Sequence, residues 1–179
     1  MIETERLNLR PWQDGDIEPF AAMSRDSDVM RHLNGVIDRD AAVAVIERHS
    51  ASQAREGHCF WAIERTADGA FLGFCGLRLG GHPGTNVNDE LEIGWRLARN
   101  ARGQGYAREA AEASLAWGWA HTDRPRIAAR TVPANEASWG LMRRLGMSAR
   151  PDLDFDHPDF SEGHPLRRHL VYTIDRLAA

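Results

Sequence analysis

Apolar and polar positions alternate over short segments of this chain and predict strands mixed with helices. Near the start, Leu7 and Leu9 alternate with asparagine and arginine, and Pro11 ends the strand that this pattern predicts. Alternation, or an enrichment in aromatic and branched side chains, predicts five further strands. They cover residues 58–64, 71–79, 90–97, 126–132 and 168–174.

Apolar residues at helical spacing predict four helices between these strands. They cover residues 17–23, a segment that begins at Asp38, residues 103–121, and residues 135–145 up to Gly146. The pair Asp68-Gly69 indicates a hairpin turn, and the composition of residues 80–88 and 151–165 is typical of loops. Because strands and helices mix without repeats or a linker, the sequence predicts one α/β (α+β) domain.

A glycine-containing turn joins the strand predicted over 90–97 to the helix predicted over 103–121. Glycine lets a backbone approach a ligand without a Cβ in the way, and the first turn of a helix presents unpaired N–H groups at the positive end of its dipole. A strand, such a turn and a helix together form a binding site for phosphate groups. The sequence therefore predicts a pyrophosphate-bearing cofactor, bound by the run Arg102, Gly103, Gln104, Gly105, Tyr106 and Ala107.

Two common nucleotide-binding motifs do not match this turn. A dinucleotide fingerprint requires a third glycine where this chain has Arg108, and it usually belongs to the first strand–helix unit of a domain. A phosphate-binding loop of the Walker type requires Gly-Lys-Ser/Thr, which this sequence lacks. An enzyme that uses a nicotinamide or a nucleoside triphosphate is therefore a disfavoured alternative.

The composition narrows the classes of function further. A chain of 179 residues, 42% of them hydrophobic, suits one compact domain over 1–179, and its net charge of −4 argues against binding nucleic acid. Cys59 and Cys75 fall on neighbouring predicted strands, where they form either two buried thiols or a disulfide across the hairpin. With no signal-type apolar segment and no apolar run of about 20 residues, we expect a cytoplasmic protein that does not enter a membrane.

Four stretches of the sequence resemble the GNAT superfamily of N-acetyltransferases. The run from Asn100 to Gly105 is similar to the superfamily's Gln/Arg-x-x-Gly-x-Gly/Ala loop, with asparagine in the first position. The other three are Thr4-Glu5-Arg6-Leu7-Asn8-Leu9-Arg10, Glu92-Ile93-Gly94-Trp95, and Asn135-Glu136-Ala137-Ser138 followed by Leu145-Gly146-Met147. Their order and spacing resemble in particular the branch of bacterial ribosomal-protein N-terminal acetyltransferases.

The resemblance implies a GNAT-type fold, with a mixed, strongly twisted sheet of six or seven strands and about four helices. In the superfamily two central strands separate, and the pantetheine arm of acetyl-CoA inserts between them. Here these strands would be residues 90–97 and 126–132.

The same resemblance assigns residues to acetyl-CoA. The amides of residues 102–107 would hold its pyrophosphate, and the Arg102 side chain would reach the 3′-phosphate. Asn135 would bond the pantetheine or cap the following helix, and Ser138 belongs to the same site. The backbone groups implied for the pantetheine amides are those of Trp95, Arg96 and Leu97.

The implied reaction is direct transfer of acetyl from sulfur to a primary amine in a ternary complex. Because a thioester is already activated, the protein must align the partners, accept a proton and stabilise an oxyanion, for which an N–H near Trp95 is the candidate. Glu92 is the candidate base, with a pKa moved towards neutrality, and Glu90 is the reserve. The alternative is that both are ordinary solvent-facing strand carboxylates.

The group that returns a proton to the thiolate stays open. Many relatives have a tyrosine seven residues after the asparagine that matches Asn135, and here that position is Met142. Ser138, a water molecule or solvent would take this role. No cysteine lies in the predicted site, so we expect no acetyl-enzyme. The missing tyrosine keeps open a second hypothesis, a non-catalytic acyl-CoA-binding sensor or scaffold on the same fold.

The acidic residues around this site favour a cationic acceptor. Glu90, Glu92 and the acidic segment 152–159 would attract a protein N-terminus, a polyamine, an aminoglycoside or an amino acid. The histidines near the C-terminus match no compact metal-ligand spacing, so we expect a polar loop beside the acceptor cleft and no metal. They are His157, His164 and His169. The oligomeric state stays open, with a homodimer among the alternatives.

Overall fold

The computed structural model describes residues 1–80, 85 and 87–176. Residues 177–179 lie outside the described residues, and so do residues 81–84 and 86 of the loop that the sequence predicts over 80–88. The described chain forms a mixed sheet with helices packed on both faces, which confirms the predicted α/β (α+β) class.

Five helices connect the strands of the described chain. They are α1 (Ile17–Arg25), α2 (Ser27–Met30), α3 (Arg39–Glu56), α4 (Tyr106–His121) and α5 (Glu136–Arg144). The sequence explains both ends of α3, because the Asp38 side chain accepts a hydrogen bond from the Ala41 amide and Gly57 ends the helix with φ of 77°. In the described ranges, every helix is too short or too polar to cross a bilayer.

The sheet contains nine strands among the described residues. They are β1 (Ile2–Glu3), β2 (Leu7–Arg10), β3 (Phe60–Arg65), β4 (Phe71–Leu79), β5 (Leu91–Leu97), β6 (Arg126–Thr131), β7 (Ser148–Ala149), β8 (Phe155–Asp156) and β9 (Arg168–Asp175). Their spatial order is β1-β2-β3-β4-β5-β6-β9-β7, and β8 pairs with β9. All pairs are antiparallel except β5 with β6, which is parallel.

The sheet has more strands than the predicted six or seven, and there is one helix more than the predicted four. β1, β7 and β8 are each two residues long, too short for an alternating pattern to reveal them. β8 lies inside the segment 151–165, which the sequence predicts as a loop. The additional helix, α2, is a single turn begun by Asp26, whose side chain accepts bonds from the amides of Asp28 and Val29.

β3 and β4 form the hairpin that Asp68-Gly69 predicts, with φ of 70° at Gly69. The disulfide alternative is wrong, because both cysteines are free thiols and Cys75 lies opposite Trp61 instead of Cys59. Both thiols are fully buried, and burial raises the pKa of each to about 12. They are part of the core and stay protonated at neutral pH.

Helices cover both faces of the central strands. On one face α4 packs on β4 and β5, and Gly118 allows close approach, since a Cβ there would lie 2.7 Å from Leu77 Cδ1. On the other face Phe20 of α1 and His49 of α3 pack against the Phe74 ring of β4. β4 is therefore covered on both faces, whereas α4 covers one face of β5 and the other face of β5 lines a cleft.

Candidate active site

A cleft opens where β5 and β6 separate. The two strands pair at only two positions, Leu91 with Ile127 and Glu92 with Ala128, although β5 continues to Leu97. The expectation that two central strands diverge is therefore confirmed. Strands that separate leave backbone N–H and C=O groups unpaired along their facing edges, ready to bond an extended ligand.

Alternation along β5 decides which backbone groups face this gap. The Gly80 amide donates to the Glu90 oxygen and the Ala98 amide donates to the Leu72 oxygen, both at 2.9 Å. The even-numbered residues of β5 therefore bond β4, and the odd-numbered residues direct their backbone groups towards β6. Beyond the last pair with β6, the groups that face the gap belong to Ile93, Trp95 and Leu97.

This alternation agrees with two of the three expected pantetheine contacts and contradicts the third. Trp95 and Leu97 face the gap, but Arg96 lies opposite Phe74, so its backbone groups pair with β4. Its side chain reaches the cleft instead, with its guanidinium carbon 5.1 Å from the centre of the Phe74 ring. The reason is the two-residue period of a strand, which prevents three consecutive residues from facing one side.

The glycine turn presents a row of unpaired amides at the start of α4. Gly103 and Gly105 have φ of 75° and 84°, a conformation that favours glycine, and Gly105 is the N-cap residue. The helix consequently begins at Tyr106 and not near residue 103. Within the described chain, the amides of residues 103–107 donate to no protein acceptor, whereas the next one, of Arg108, bonds the Gly105 oxygen. Such donors at a helix N-terminus suit a phosphate.

The N-terminal segment holds this turn in place. The Thr4 hydroxyl donates to Glu109 Oε1 at 2.6 Å, and Arg6 Nε donates to Glu109 Oε2 at 2.7 Å. Arg6 Nη1 also donates to the Gln104 carbonyl oxygen at 3.0 Å. Burial alone would raise the pKa of Glu109, but the bonds from Thr4 and Arg6 outweigh it and lower that pKa. The motif that opens the chain therefore supports the phosphate site.

The cleft has a volume of about 1080 Å³ and a strongly positive lining. Among the described residues that line it, eight are arginines and three are carboxylates, although the whole chain has a net charge of −4. Arg102, predicted for the 3′-phosphate, donates to the carbonyl oxygens of Leu97 at 3.3 Å and Asp28 at 3.4 Å. Arg99 forms an ion pair with the Asp28 side chain, so several arginines gather beside the glycine turn. This end suits a ligand with several phosphates.

Helix α5 borders the cleft with the residues that the sequence assigns to it. Asn135 occupies the N-cap position, but its side chain does not cap α5, and its Nδ2 donates to Thr131 Oγ1 at 3.1 Å. Ser138 is half-buried in the lining. Met142, at the position where many relatives have tyrosine, is 1% exposed and also lines the cleft. Its thioether has no proton to donate.

Glu92 lies where the two strands separate, and two arginines hold its carboxylate. Arg78 Nη2 donates to Oε2 at 3.1 Å, and Arg130 Nε donates to Oε1 at 3.2 Å. The side chain is 12% exposed, so Glu92 is not an ordinary solvent-facing carboxylate. Burial alone would raise its pKa, but the charges of Arg78 and Arg130 outweigh burial and lower it. The expected pKa near neutrality is therefore wrong, and Glu92 is ionised at neutral pH.

Glu90, the reserve base, is turned to a different environment. It forms an ion pair with Arg126 and borders a small cavity that Glu92 and Arg130 also line, whereas Glu90 itself does not line the large cleft. Arginines that lie just outside the acidic segment 152–159 pair with three of its carboxylates in the same way. Its ion pairs are Asp152 with Arg150, Asp154 with Arg168, and Asp156 with Arg167. Arginines thus pair with carboxylates on which the cationic acceptor rested, which weakens the argument for it, and that acceptor stays a prediction.

Two histidines of the C-terminal segment line the cleft, which agrees with a loop beside the acceptor. The rings of His157 and His169 have centroids 5.2 Å apart, and His169 stacks on Phe155 at 5.1 Å. His169 Nδ1 lies 3.2 Å from the Arg167 carbonyl oxygen. Because a carbonyl only accepts, Nδ1 carries the hydrogen and Nε2 is the nitrogen able to take a proton. Burial lowers the pKa of His169, so its imidazole is neutral at pH 7.

The third histidine has a structural environment. His164 stacks on Phe160 with centroids 4.5 Å apart, and its Nδ1 accepts a hydrogen bond from the Leu166 amide. In the part of the chain that the structure describes, no group of three or more His, Cys, Asp or Glu side chains is placed to hold a metal ion. The expectation that the protein uses no metal stays a prediction.

Sequence patterns did not single out Arg78 and Arg130, which the sheet brings to Glu92. The two arginines come from different strands, β4 and β6, and meet only because Glu92 lies between them in the sheet. A signal for each exists, since both are charged residues inside otherwise buried strands. Charged residues in such positions are rare unless they are paired or bind a ligand.

The fold and the cleft together define a class of protein. Two parallel strands that diverge beside unpaired helix N-terminal amides form a binding site for an extended ligand with phosphates at one end. Glu92 and His169 lie towards the other end, where their charge and proton affinity suit group transfer. A cleft of this construction suits a transferase that uses a long phosphorylated donor.

The chain belongs to the GNAT acetyltransferase family. The family model of the acetyltransferase (GNAT) domain matches residues 6–148. Two relatives come from Bacillus subtilis (strain 168). The protein YkkB is 32% identical over 148 residues, 82% of this chain and 84% of that protein. The N-acetyltransferase YnaD is 30% identical over 149 residues, 82% of this chain and 81% of its own length. The protein is accordingly an N-acetyltransferase, and the family resemblance is confirmed.

Solved structures share the fold. An acetyltransferase from Agrobacterium tumefaciens str. C58 has a TM-score of 0.78 and 26% identity, covering 98% of this chain and 94% of that one. RimL, a ribosomal L7/L12 alpha-N-protein acetyltransferase solved in complex with coenzyme A, has a TM-score of 0.76 over 96% of this chain and 95% of its own. Its identity is 15%, so it shows the fold alone, and the likeness to that branch remains a resemblance.

Proposed function

We propose that this protein transfers an acetyl group from acetyl-CoA to a primary amine by direct attack in a ternary complex. The observation that carries the proposal is the continuity of the cleft. It runs from the unpaired amides of residues 103–107, along the open edge of β5, to Glu92 where β5 and β6 separate. Kinship with N-acetyltransferases supports the same reaction.

Acetyl-CoA fits the cleft from the glycine turn inwards. The amides of residues 103–107 would hold its pyrophosphate, with the Arg102 guanidinium beside the phosphates. Trp95 and Leu97 would bond the pantetheine amides as an added strand would, with Asn135 and Ser138 on the opposite wall. Its thioester supplies an already activated acetyl group. That RimL was solved with coenzyme A on the same fold supports this choice of co-substrate.

The acceptor must lose a proton before it attacks. The amine nitrogen forms a bond to the thioester carbonyl carbon, the C–S bond breaks, and the sulfur leaves as a thiolate. Glu92, ionised at neutral pH, would hold the ammonium or a water molecule next to it. The lowered pKa makes Glu92 a weak base, so His169 Nε2 is the better final proton acceptor. The Trp95 amide, which faces the gap, would donate to the developing oxyanion.

A non-catalytic acyl-CoA-binding protein on the same fold is the second candidate. Met142 favours it, because this residue stands where many relatives have tyrosine and it offers no proton to the thiolate. In the catalytic proposal, either solvent that enters the open cleft or Ser138 protonates the thiolate. The two candidates differ in one observable, which is the release of free CoA.

Calorimetric titration of the purified protein with acetyl-CoA, with NAD and ATP as controls, tests the first step. Saturable binding of acetyl-CoA alone is the expected result. Thiol release is then measured with a panel of primary amines at saturating acetyl-CoA, and amine-dependent release is expected. Binding without release for every amine would favour the non-catalytic candidate, and no binding by folded protein would refute the cofactor.

A further inference from the structure

Three arginines share one face of the sheet near the point where β5 and β6 separate. Arg78 lies opposite Glu92, and Glu92 lies opposite Ala128 on β6. Arg130 follows Ala128 by two residues and Arg96 follows Glu92 by four, so the two-residue period places all of them on the same face. All three arginines line the cleft.

The charges of these arginines are only partly compensated. Glu92 is the one carboxylate that contacts them within the described chain, and it is shared between Arg78 and Arg130. Arg96 has no such partner there, and its Nη1 lies 3.5 Å from Met30 Sδ, a weak acceptor. Burial without a counter-charge lowers the pKa of Arg96 to about 10. Three guanidinium groups against one carboxylate leave an excess of positive charge.

Unused hydrogen-bond donors accompany this excess charge. Arg78 Nε and Arg130 Nη1 are buried and have no hydrogen-bond partner in the described part of the chain. A buried donor without a partner costs free energy, and a guanidinium is built to bond the two oxygens of a carboxylate. The same arginines act at a distance, since burial lowers the pKa of His49 and the charges of Arg78 and Arg96 lower it further.

The phosphates of acetyl-CoA do not account for Arg78 and Arg130, whose sheet face Arg96 shares. The phosphate site is formed by residues 103–107, with Arg99 and Arg102 gathered beside it. Arg78 and Arg130 instead hold Glu92, at the end of the cleft where the acceptor amine has to arrive. An anion beside them would belong to the acceptor, within a few bonds of its nitrogen.

We propose that the acceptor amine carries a carboxylate close to its nitrogen and that Arg78, Arg96 and Arg130 bind this carboxylate. This inference rests on the proposed function, because it names the acceptor class of the same site. Glu92 then faces the ammonium while the arginines face the carboxylate, which together match the zwitterion of an amino acid. A free amino acid and the acidic first residue of a peptide share this chemistry.

Matched acceptor pairs test the proposal. Thiol release from saturating acetyl-CoA is compared for amino acids and for the amines that remain when the α-carboxylate is removed, such as phenylalanine with phenylethylamine and lysine with cadaverine. Rates are corrected to the free amine at each pH. Spermidine is the polycation, and peptides that begin with aspartate or glutamate separate the two sources of the carboxylate. We expect kcat/KM to be at least about 10-fold higher for the carboxylate-bearing member of each pair.

One variant links this preference to the arginines. Arg96→Gln should raise KM for the preferred acceptor about 10-fold and leave both kcat/KM for its decarboxylated partner and the affinity for acetyl-CoA within about twofold. Arg96→Lys should restore part of the loss, and Arg55→Gln, at an arginine that pairs with Glu56 on α3, is the matched control and should change nothing. Thermal melting shows whether each variant is folded.

The outcomes separate this inference from the function on which it rests. Equal or better use of decarboxylated amines or spermidine would overturn the carboxylate and leave N-acetylation intact. An equal loss for both members of a pair in Arg96→Gln would also overturn it. Binding of acetyl-CoA without transfer to any amine would refute the proposed function, and the acceptor class with it.

Discussion

The two ends of the cleft are built in different ways. The proposed phosphate end is a continuous run, residues 103–107, and offers mainly backbone amides held by the N-terminal segment. The acceptor end collects side chains from four strands, among them Arg78 of β4, Glu92 of β5, Arg130 of β6 and His169 of β9. One end would bind its ligand through backbone amides, and the other through charged side chains.

The difference has a consequence for how each end tolerates change. Amides at a helix N-terminus bind phosphate whatever side chains flank them, provided that the turn keeps its shape. Ion pairs between strands depend on each partner, because removal of one leaves the others buried and uncompensated. Binding at the phosphate end should therefore be lost when the backbone conformation changes, and function at the acceptor end when a single charged side chain is removed.

The largest effect is expected from Gly105→Val. At φ of 84° a β-branched residue is strained, so the turn should move and withdraw its amides from the pyrophosphate. We expect acetyl-CoA affinity, measured by calorimetry, to fall at least about 100-fold, the equivalent of losing two charge-assisted hydrogen bonds. Gly57→Val is the matched control, since Gly57 has φ of 77° at the end of α3 and open space around it. Retained affinity in Gly105→Val would refute the phosphate site.

A loss of turnover with acetyl-CoA affinity retained, the next largest effect, is expected from Glu92→Gln. We expect kcat to fall about 100-fold, within the range of general acid–base catalysis, while acetyl-CoA affinity stays within about twofold. The negative charge of Glu92 raises the pKa of His169, so its removal should lower that pKa further and shift the acidic limb of the pH–rate profile to lower pH. Glu90→Gln is the control, because Glu90 pairs with Arg126 outside the cleft. Identical pH profiles for Glu92→Gln and wild type would contradict the assignment.

The smallest effect is expected from Glu109→Gln, which weakens the support behind the glycine turn. The bonds from Thr4 and Arg6 favour the carboxylate, so acetyl-CoA affinity should fall about 3- to 10-fold. Because the folded-state pKa of Glu109 is lowered, its stabilising contribution is present above the ordinary value near 4.3 and is lost as pH falls below it. Thermal melting of wild type and variant should therefore converge at acidic pH.

Glu112→Gln provides the comparison for this variant. Glu112 lies one turn further along α4 and pairs with Arg108 at the surface, with 51% of its side chain exposed. Surface pairs of this kind contribute little, so affinity and melting temperature should stay near those of wild type. An equal effect of the two substitutions would mean that the N-terminal segment does not hold the turn.

Local patterns predicted the long elements well and the short ones poorly. β4 covers the residues that their enrichment in aromatic and branched side chains indicates, and α3 begins after Asp38 as expected, because a long segment repeats its signal over several positions. The two-residue strands β1, β7 and β8 depend on pairing with a neighbour already in place, which no local pattern contains. α4 begins at Tyr106 and not at the predicted residue 103, because the left-handed conformation of Gly105 cannot belong to a helix.

Sequence alone therefore indicated what short-range pattern decides: the glycine turn, the family resemblance and the residues proposed for the phosphate site. Tertiary structure decided which side chains meet. Strand register set Arg78 and Arg130 on either side of Glu92, lowered the pKa that the sequence led us to expect near neutrality, and turned the backbone of Arg96 away from the gap. Charges interact through space, and only the packed sheet brings these distant positions close enough for one to change another.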